Sequence, residues 1–259
     1  MSPAKRTLLS SLRERVRQIE RAGSPHGVFS LGFAAIDRAL PGGGLARGAL
    51  HEILGAGSDE EDGALAAAFA ALILGRLAEG GSVLWCLASA DLYGPGLAAA
   101  GLDPSRLLLV EARRDDLVLW AMEEGLRTRG IAAVAGEVKR LDLLGSRRLQ
   151  LAAERSGIPA FALRRWKSAD EAARWRAVPN AAATRWRVGA LSSRSEGNEP
   201  GVGHPHWRVE LLRCRGGVPA CWEVEIEDGA GFVSVAQRLA DRPLAKEEGF
   251  SLARRSAGS

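Results

Sequence analysis

The sequence predicts an α/β fold with a mainly parallel central sheet, helices on both faces and antiparallel strands at one edge. Three observations predict it. From residue 48 to residue 163, apolar runs typical of buried strands alternate with helical patterns, as in parallel sheets covered on both faces. A glycine-rich loop at 55–63 stands between a strand and a helix. After residue 185, three longer amphipathic strands favour an antiparallel edge.

Composition places the chain among globular proteins. Of its 259 residues, 46% are hydrophobic and 25% charged, so the chain can build a full core without disulfides. The longest apolar run, 64–74, is shorter than the about 20 residues that span a bilayer, and acidic residues follow the basic N-terminus. An odd number of cysteines without metal-ligand spacing favours a reducing compartment, buried thiols and no metal: Cys86, Cys214 and Cys221. We expect a cytoplasmic protein without a membrane partner.

The chain is predicted to begin with an amphipathic helix over residues 7–21, followed by a linker at 22–27. One stripe of this helix is apolar, whereas charged residues cover the rest. We expect the stripe to be a partner interface; it consists of Leu8, Leu12, Val16 and Ile19.

The core is expected to span residues 28–230, and residues 231–259 are expected to form a polar tail. Strands are predicted at 48–54, 82–88, 106–110, 131–135, 158–163, 186–191, 207–214 and 222–226, with a hairpin turn at 215–217. Helices are predicted at 31–40, 64–78, 96–100, 117–128 and 143–155.

The loop at 55–63 resembles a phosphate-binding loop that has lost its chemistry. Such a loop needs the pattern G-x-x-x-x-G-K-[ST], with lysine on the phosphates and a hydroxyl on magnesium. Gly55, Gly57 and Gly63 remain, but Ala64 and Leu65 follow the last glycine. Four successive acidic residues at 59–62 would each repel a phosphate by about 0.7 to 3 kcal/mol at about 6 Å. We therefore expect no bound nucleotide and no cofactor; the alternative is an unusual nucleotide site.

Two carboxylates follow apolar strands, where open α/β sheets place their catalytic groups. They are Asp91 and Glu137, for which surface or helix-capping roles are favoured over catalysis. The four histidines lie in unrelated segments without a nucleophile motif. The sequence therefore predicts a protein that is not an enzyme.

Basic residues and tryptophans concentrate between residues 161 and 215. Aromatic faces that stack bases and cations that follow the backbone are typical of single-stranded nucleic-acid binding. Core packing is favoured for Trp186, Trp207 and Trp222 because they lie on predicted strands. For the segment 164–180, DNA contact, a protein interface and packing all stay open. Its candidate DNA-binding residues are Arg164, Arg165, Trp166, Lys167, Arg174, Trp175 and Arg176.

The order of elements resembles the RecA-like recombinase core, and within that superfamily the chain resembles the ImuA family. The resemblance covers about residues 30–226. The motifs that carry it include LPGGGL at 40–45, GALHE at 48–52, VLWC at 83–86, DLYGPGL at 91–97, SRRLQLA at 146–152, ATRWRV at 183–188 and WRVEL at 207–211.

The resemblance implies an accessory role in SOS-induced, error-prone translesion synthesis. The implied partners are ImuB, a catalytically inactive Y-family polymerase homologue, and an error-prone replicative-type polymerase; RecA, single-stranded DNA and a second copy of the chain are further candidates. Ala64 stands where active RecA proteins carry the phosphate lysine, and Ser89 where they carry the water-activating glutamate. Two alternatives remain: an ATP-dependent recombinase or remodeller, and a regulator of RecA filaments or of cell division.

Overall fold

The computed structural model describes residues 25–193, 203–227 and 232–238. Within them, the strands are β1 (Val28–Phe29), β2 (Leu45–Ala46), β3 (Leu50–Gly55), β4 (Ser82–Leu87), β5 (Leu107–Glu111), β6 (Ile131–Val138), β7 (Ala160–Arg164), β8 (Thr184–Leu191), β9 (His206–Cys214), β10 (Ala220–Glu227) and β11 (Phe232–Arg238). The helices are α1 (Ala34–Asp37), α2 (Asp59–Leu77), α3 (Gly94–Ala99), α4 (Asp115–Arg127), α5 (Leu143–Ser156) and α6 (Ala169–Arg176).

Nine of the described strands form one sheet, in the order β11-β10-β9-β8-β3-β7-β6-β4-β5. The six strands from β8 to β5 pair in parallel, and β8 to β11 pair antiparallel. The predicted fold class, a mainly parallel sheet flanked by helices with an antiparallel edge, is confirmed, and the architecture is consistent with a RecA-like core. The predicted N-terminal helix, with Leu8, Leu12, Val16 and Ile19, lies outside the described residues.

Several boundaries differ from the prediction. Helix α2 begins at Asp59 rather than at residue 64, because the Glu61 carboxylate accepts a hydrogen bond from the Ser58 N–H at 3.0 Å and acidic residues in a first turn are favoured by the helix dipole. Strand β6 continues to Val138. Helix α6 lies in the segment 164–180, to which the sequence analysis assigned neither a helix nor a strand. Strand β11 extends the sheet beyond residue 230.

Two hydrophobic clusters lie on the two faces of the sheet. On one face, α2 packs through Phe69 against Trp186. On the other face, α4 and α5 pack through residues such as Val118, Met122 and Leu149. The stretch Asp59–Gly80 is long and apolar enough by composition to cross a membrane, but half of its apolar window is buried inside the protein, as in a core helix.

The parallel strands bring four connections to one edge of the sheet. The carboxyl ends of β3, β4, β6 and β7 all lie there, because parallel neighbours end on the same side. The segments that follow these strands begin with Ala56, Ala88, Lys139 and Arg165. Open α/β sheets bind their ligands at this edge, so the loop after β3 and the candidate carboxylates meet where a functional site is expected.

Candidate functional site

The turn between β3 and α2 uses its own carboxylates where a phosphate-binding loop would hold an anion. The Gly57 N–H donates to the Asp62 carboxylate at 2.6 Å, and the Ser58 N–H donates to Glu61 at 3.0 Å. A β-carbon at Gly57 would collide with the Glu61 carboxylate. Gly57 therefore accommodates an internal acid at close approach, as a phosphate-loop glycine accommodates a phosphate.

The neighbouring amides of this turn also have partners within the chain. The Ala56 N–H donates to the carbonyl of Val188 at 2.8 Å, and the Asp59 N–H donates to the carbonyl of Trp166 at 2.8 Å. The four successive N–H groups from residue 56 to residue 59 are thus all hydrogen-bonded. A phosphate could be cradled here only by displacing these bonds, two of them to ionisable carboxyl groups.

A single guanidinium joins three carboxylates at the same edge of the sheet. Arg165 donates to Asp59 at 2.9 and 2.7 Å, to Asp91 at 2.8 and 2.7 Å, and to Glu137 at 2.9 Å. These acids come from the first turn of α2, the segment after β4, and β6 itself. Arg165 thereby ties together three elements at this edge of the sheet; we call these four residues the Arg165 cluster.

The environment sets the protonation behaviour of the Arg165 cluster. Hydrogen bonds from Arg165 lower the pKa of Asp91. Burial raises the pKa of Glu137, against the opposing effect of Arg165, because its side chain is 1% exposed. Hydrogen bonds to Asp91 and Asp59 raise the pKa of Arg165. The Arg165 guanidinium is therefore a permanent positive charge that lies between the three carboxylates.

The surface or helix-capping role that the sequence favoured has a different outcome for Glu137 and for Asp91. The prediction is wrong for Glu137, which is buried on β6 and also accepts a hydrogen bond from the Trp85 indole at 3.2 Å. Asp91 is exposed, in agreement with the predicted surface position, and its carboxylate is paired with Arg165. Both acids bind a cation of their own chain.

A second ionic cluster is buried beside the first. Glu52, on the central strand β3, is 1% exposed. It accepts hydrogen bonds from Arg164 at 2.7 Å, Arg185 at 2.5 Å and Asn180 at 2.8 Å. Because a buried carboxylate is tolerated only when it is paired and hydrogen-bonded, these residues anchor the segment before β8 to the centre of the sheet.

Three residues of the predicted DNA-binding segment have partners inside the protein. Arg164 is buried against Glu52, and Arg165 is held in the Arg165 cluster. Trp166 is 2% exposed, packs with Leu54 and Ala172 and donates its indole N–H to the carbonyl of Lys139 at 3.0 Å. A ring in this position has no open face for a base.

The remaining residues of the segment lie at the surface or close to it. Lys167 and Arg174 are exposed, whereas Trp175 and Arg176 are half-buried. The guanidinium of Arg140 lies 5.0 Å from the centre of the Trp175 ring, and Arg176 donates to the carbonyl of Ala56 at 2.9 Å. DNA contact by Lys167, Arg174, Trp175 and Arg176 stays a prediction.

The predicted core roles of three further tryptophans are confirmed. Trp186 and Trp222 are fully buried, with ring centres 6.2 Å apart, and Trp207 is 7% exposed. Among the cysteines, Cys86 is buried as expected, and burial raises its pKa to about 12. Cys214, on β9, and Cys221, on β10, are half-buried, contrary to the expectation.

Sequence reasoning missed the role of Arg165 and the buried position of Glu52. Arg165 has an available signal: it follows an apolar strand directly, at the edge where the acids also lie. Glu52 interrupts the apolar run of β3, and a charge within a central parallel strand indicates a buried ion pair. Neither signal identifies the residues that pair with Arg165 or Glu52, because these partners are up to 133 residues away in the chain.

Comparison with known proteins agrees with the resemblance. No family model matches the chain. Two curated relatives, each named Protein ImuA, come from the NA1000/CB15N and CB 15 strains of Caulobacter vibrioides. Each is 38% identical to this chain over 232 residues, which cover 87% of this chain and 95% of the relative. With this identity along almost the full length of both proteins, the chain belongs to the ImuA family.

Proposed function

We propose that this protein is a non-catalytic, RecA-like adaptor in SOS-induced, error-prone translesion synthesis. Its scaffold resembles a nucleotide-binding core, but it works through contacts with other proteins. The observation that carries the proposal is that the phosphate-binding turn is closed by Glu61 and Asp62 of the same chain. Family membership supplies the context of mutagenic DNA synthesis.

The missing lysine is only part of the argument against ATP. In a phosphate loop, free amides and a lysine together neutralise the phosphates. Here the amides have internal partners, Ala64 replaces the lysine, and Arg165, a cation next to the turn, is engaged by Asp59, Asp91 and Glu137. Restoring a single group would leave the other obstacles in place.

Equilibrium binding of a fluorescent ATP analogue with Mg²⁺ tests the non-catalytic half of the proposal. We expect no saturable binding by the wild type. We also expect none by the double variant Ala64→Lys, Leu65→Thr, because the turn amides remain bonded to Glu61 and Asp62. Saturable micromolar binding by the wild type, or ATP hydrolysis that disappears in Asp62→Ala, would refute this half.

The adaptor half requires a protein partner. We propose that the partner is the inactive Y-family polymerase homologue, with the error-prone replicative polymerase joining the same assembly. The apolar stripe of residues 7–21 is the proposed contact surface, because an apolar helix face is stabilised by burial against another protein. The stripe is formed by Leu8, Leu12, Val16 and Ile19.

Co-purification with the polymerase homologue of the same organism tests this half. We expect a stable complex with the wild type and loss of that complex in Leu12→Glu, Val16→Glu. The control variant Arg13→Glu, Arg17→Glu changes polar positions of the same segment and should retain the complex. A wild type that does not co-purify would contradict the adaptor role, and loss in both variants would contradict the assignment to the stripe.

A further inference from the structure

Strand β5 lies at the outer edge of the sheet and exposes an apolar surface. Within the described residues it pairs only with β4. Three successive large apolar residues are exposed to solvent: Leu108 is 50% exposed, Leu109 53% and Val110 37%. Natural edge strands are protected by charged residues, proline, bulges or a covering segment, and residues 107–110 contain neither charge nor proline.

In the part of the chain that the structure describes, every second residue of β5 has main-chain groups without a partner strand. The Ala112 N–H donates to the carbonyl of Leu87 on β4 at 2.8 Å. Because main-chain groups alternate in direction along a strand, Val110 and Leu108 direct theirs to β4 as well. Leu107, Leu109 and Glu111 therefore direct their N–H and C=O groups away from the sheet, and Leu109 is at the centre of this row.

Helix α4 continues the apolar surface on one face of this edge. Leu108 and Val110 are in register with Leu84 and Cys86, which belong to the cluster under α4, so they lie on the α4 face. Leu117 on α4 is 45% exposed, and Trp120 one turn later is 59% exposed.

The orientation of α4 places these two residues away from its neighbour α5. Glu123 forms an ion pair with Arg148 on α5, which marks the α5 side of the helix. By helical spacing, Leu117 lies about 120° around the helix from Glu123, on the side toward β5, and Trp120 lies between them on the solvent side. We call Leu108, Leu109, Val110, Leu117 and Trp120 the edge patch.

We propose that two copies of this chain associate through the edge patch, with their β5 strands paired antiparallel about a two-fold axis at Leu109. In this register Leu109 of one copy faces Leu109 of the other, and Leu107 faces Glu111. Each facing pair exchanges two N–H···O bonds, and these are the residues whose main-chain groups point outward. The outward main-chain groups of Leu107, Leu109 and Glu111 are thus arranged symmetrically about Leu109, as an isologous interface requires.

Side-chain chemistry also fits a second copy. Leu108 faces Val110 across the two-fold axis, so apolar side chains meet on the α4 face, and the Leu117 and Trp120 side chains of both copies flank them. The Glu111 carboxylates lie at opposite ends of the paired strands, so like charges do not face each other. Burial of these five partly exposed apolar side chains and pairing of the outward main-chain groups would both stabilise the association.

Sedimentation equilibrium of the full chain tests the proposal, since it reports the mass in solution. We expect a mass of two chains for the wild type at micromolar concentration, and of one chain for Leu109→Glu and for Leu109→Lys. The control Leu144→Glu replaces a leucine that is 71% exposed on α5, and it should keep the mass of two chains. Circular dichroism checks that each variant is folded.

A mixture of the two charged variants tests the two-fold register. If residue 109 faces its own copy, glutamate then faces lysine, and association should be about tenfold tighter than for either variant alone. A wild type with the mass of one chain, or a dimeric Leu109→Glu variant, would overturn the proposal. A mixture that associates no more tightly than the single variants would also overturn it. Assemblies larger than two chains would overturn it as well, because they indicate a head-to-tail contact that does not close.

Discussion

Arg165 and Asp59 form a bidentate ion pair, Nε to Oδ1 at 2.9 Å and Nη2 to Oδ2 at 2.7 Å, although they are 106 residues apart. Asp59 is the first residue of α2, and Arg165 is the first residue after β7. The pair joins the start of α2 to the segment after β7, next to the turn that follows β3. Arg165 thus supplies a positive charge that balances carboxylates at this edge of the sheet.

Loss of this cation should destabilise the fold. We expect Arg165→Met to lower the free energy of unfolding by about 2 to 4 kcal/mol, because the buried Glu137 would lose its counter-charge. Urea unfolding measures the change. Arg113→Met is the control: it removes an exposed pair with Glu111 and should leave the midpoint unchanged. Equal midpoints for the two variants would contradict the structural role of the cluster.

A buried histidine should make stability depend on pH. Burial lowers the pKa of His51 to about 4, and its ring nitrogens are hydrogen-bonded to Thr184 and to the carbonyl of Ala46. The unfolded chain takes up this proton near pH 6.5, and the folded chain does so only near pH 4. The neutral ring therefore favours folding above pH 6.5, and this contribution is lost as pH falls toward 4.

The loss over this window should reach roughly 3 kcal/mol. Urea unfolding at several pH values measures it, in the wild type and in His51→Gln. The variant should show a shallower dependence between pH 6.5 and 4, because it lacks the titrating ring. Parallel curves for the two proteins would show that His51 does not titrate as the structure indicates.

Trp166 should contribute to stability rather than to DNA binding. Trp166→Ala is expected to cost about 3 to 5 kcal/mol, because it leaves a cavity in the cluster with Leu54 and Ala172. Trp175→Ala removes a half-buried ring and should cost less. The more conservative Trp166→Phe keeps most of the packing and should leave single-stranded DNA affinity as it is in the wild type; a marked loss of affinity in this folded variant would restore the stacking interpretation.

Lys167 and Arg174 are the basic side chains of the segment with the clearest access to a nucleic-acid backbone. We expect Lys167→Glu, Arg174→Glu to weaken binding of an oligothymidine and to reduce the slope of log affinity against log salt by about 1. Fluorescence anisotropy at several salt concentrations measures both quantities. Arg129→Glu, which reverses an exposed charge at the other end of the sheet, controls for net charge. Similar slopes in the wild type and the double variant would remove direct DNA contact by these residues.

The strand and helix pattern could be predicted because it depends on local periodicity. Apolar runs such as those of β4 and β7 identify buried parallel strands, and the amphipathic pattern of β8 to β10 identifies the antiparallel edge. The start of α2 and the end of β6 were predicted less accurately. The acidic residues before α2 resemble a loop in sequence, but an internal capping bond and the helix dipole make them a first turn.

The fold class, the family and the loss of the phosphate lysine can be inferred from the residues alone, because they depend on residue type and order along the chain. What the acidic residues do becomes visible in the folded protein. Asp59, Asp91 and Glu137 are far apart in sequence, and the parallel sheet gathers them at one edge around Arg165. The same fold buries Trp166 and leaves β5 at the outer edge of the sheet. Neither the burial of a side chain nor the position of a strand in a sheet can be inferred from the local sequence, because both depend on distant segments.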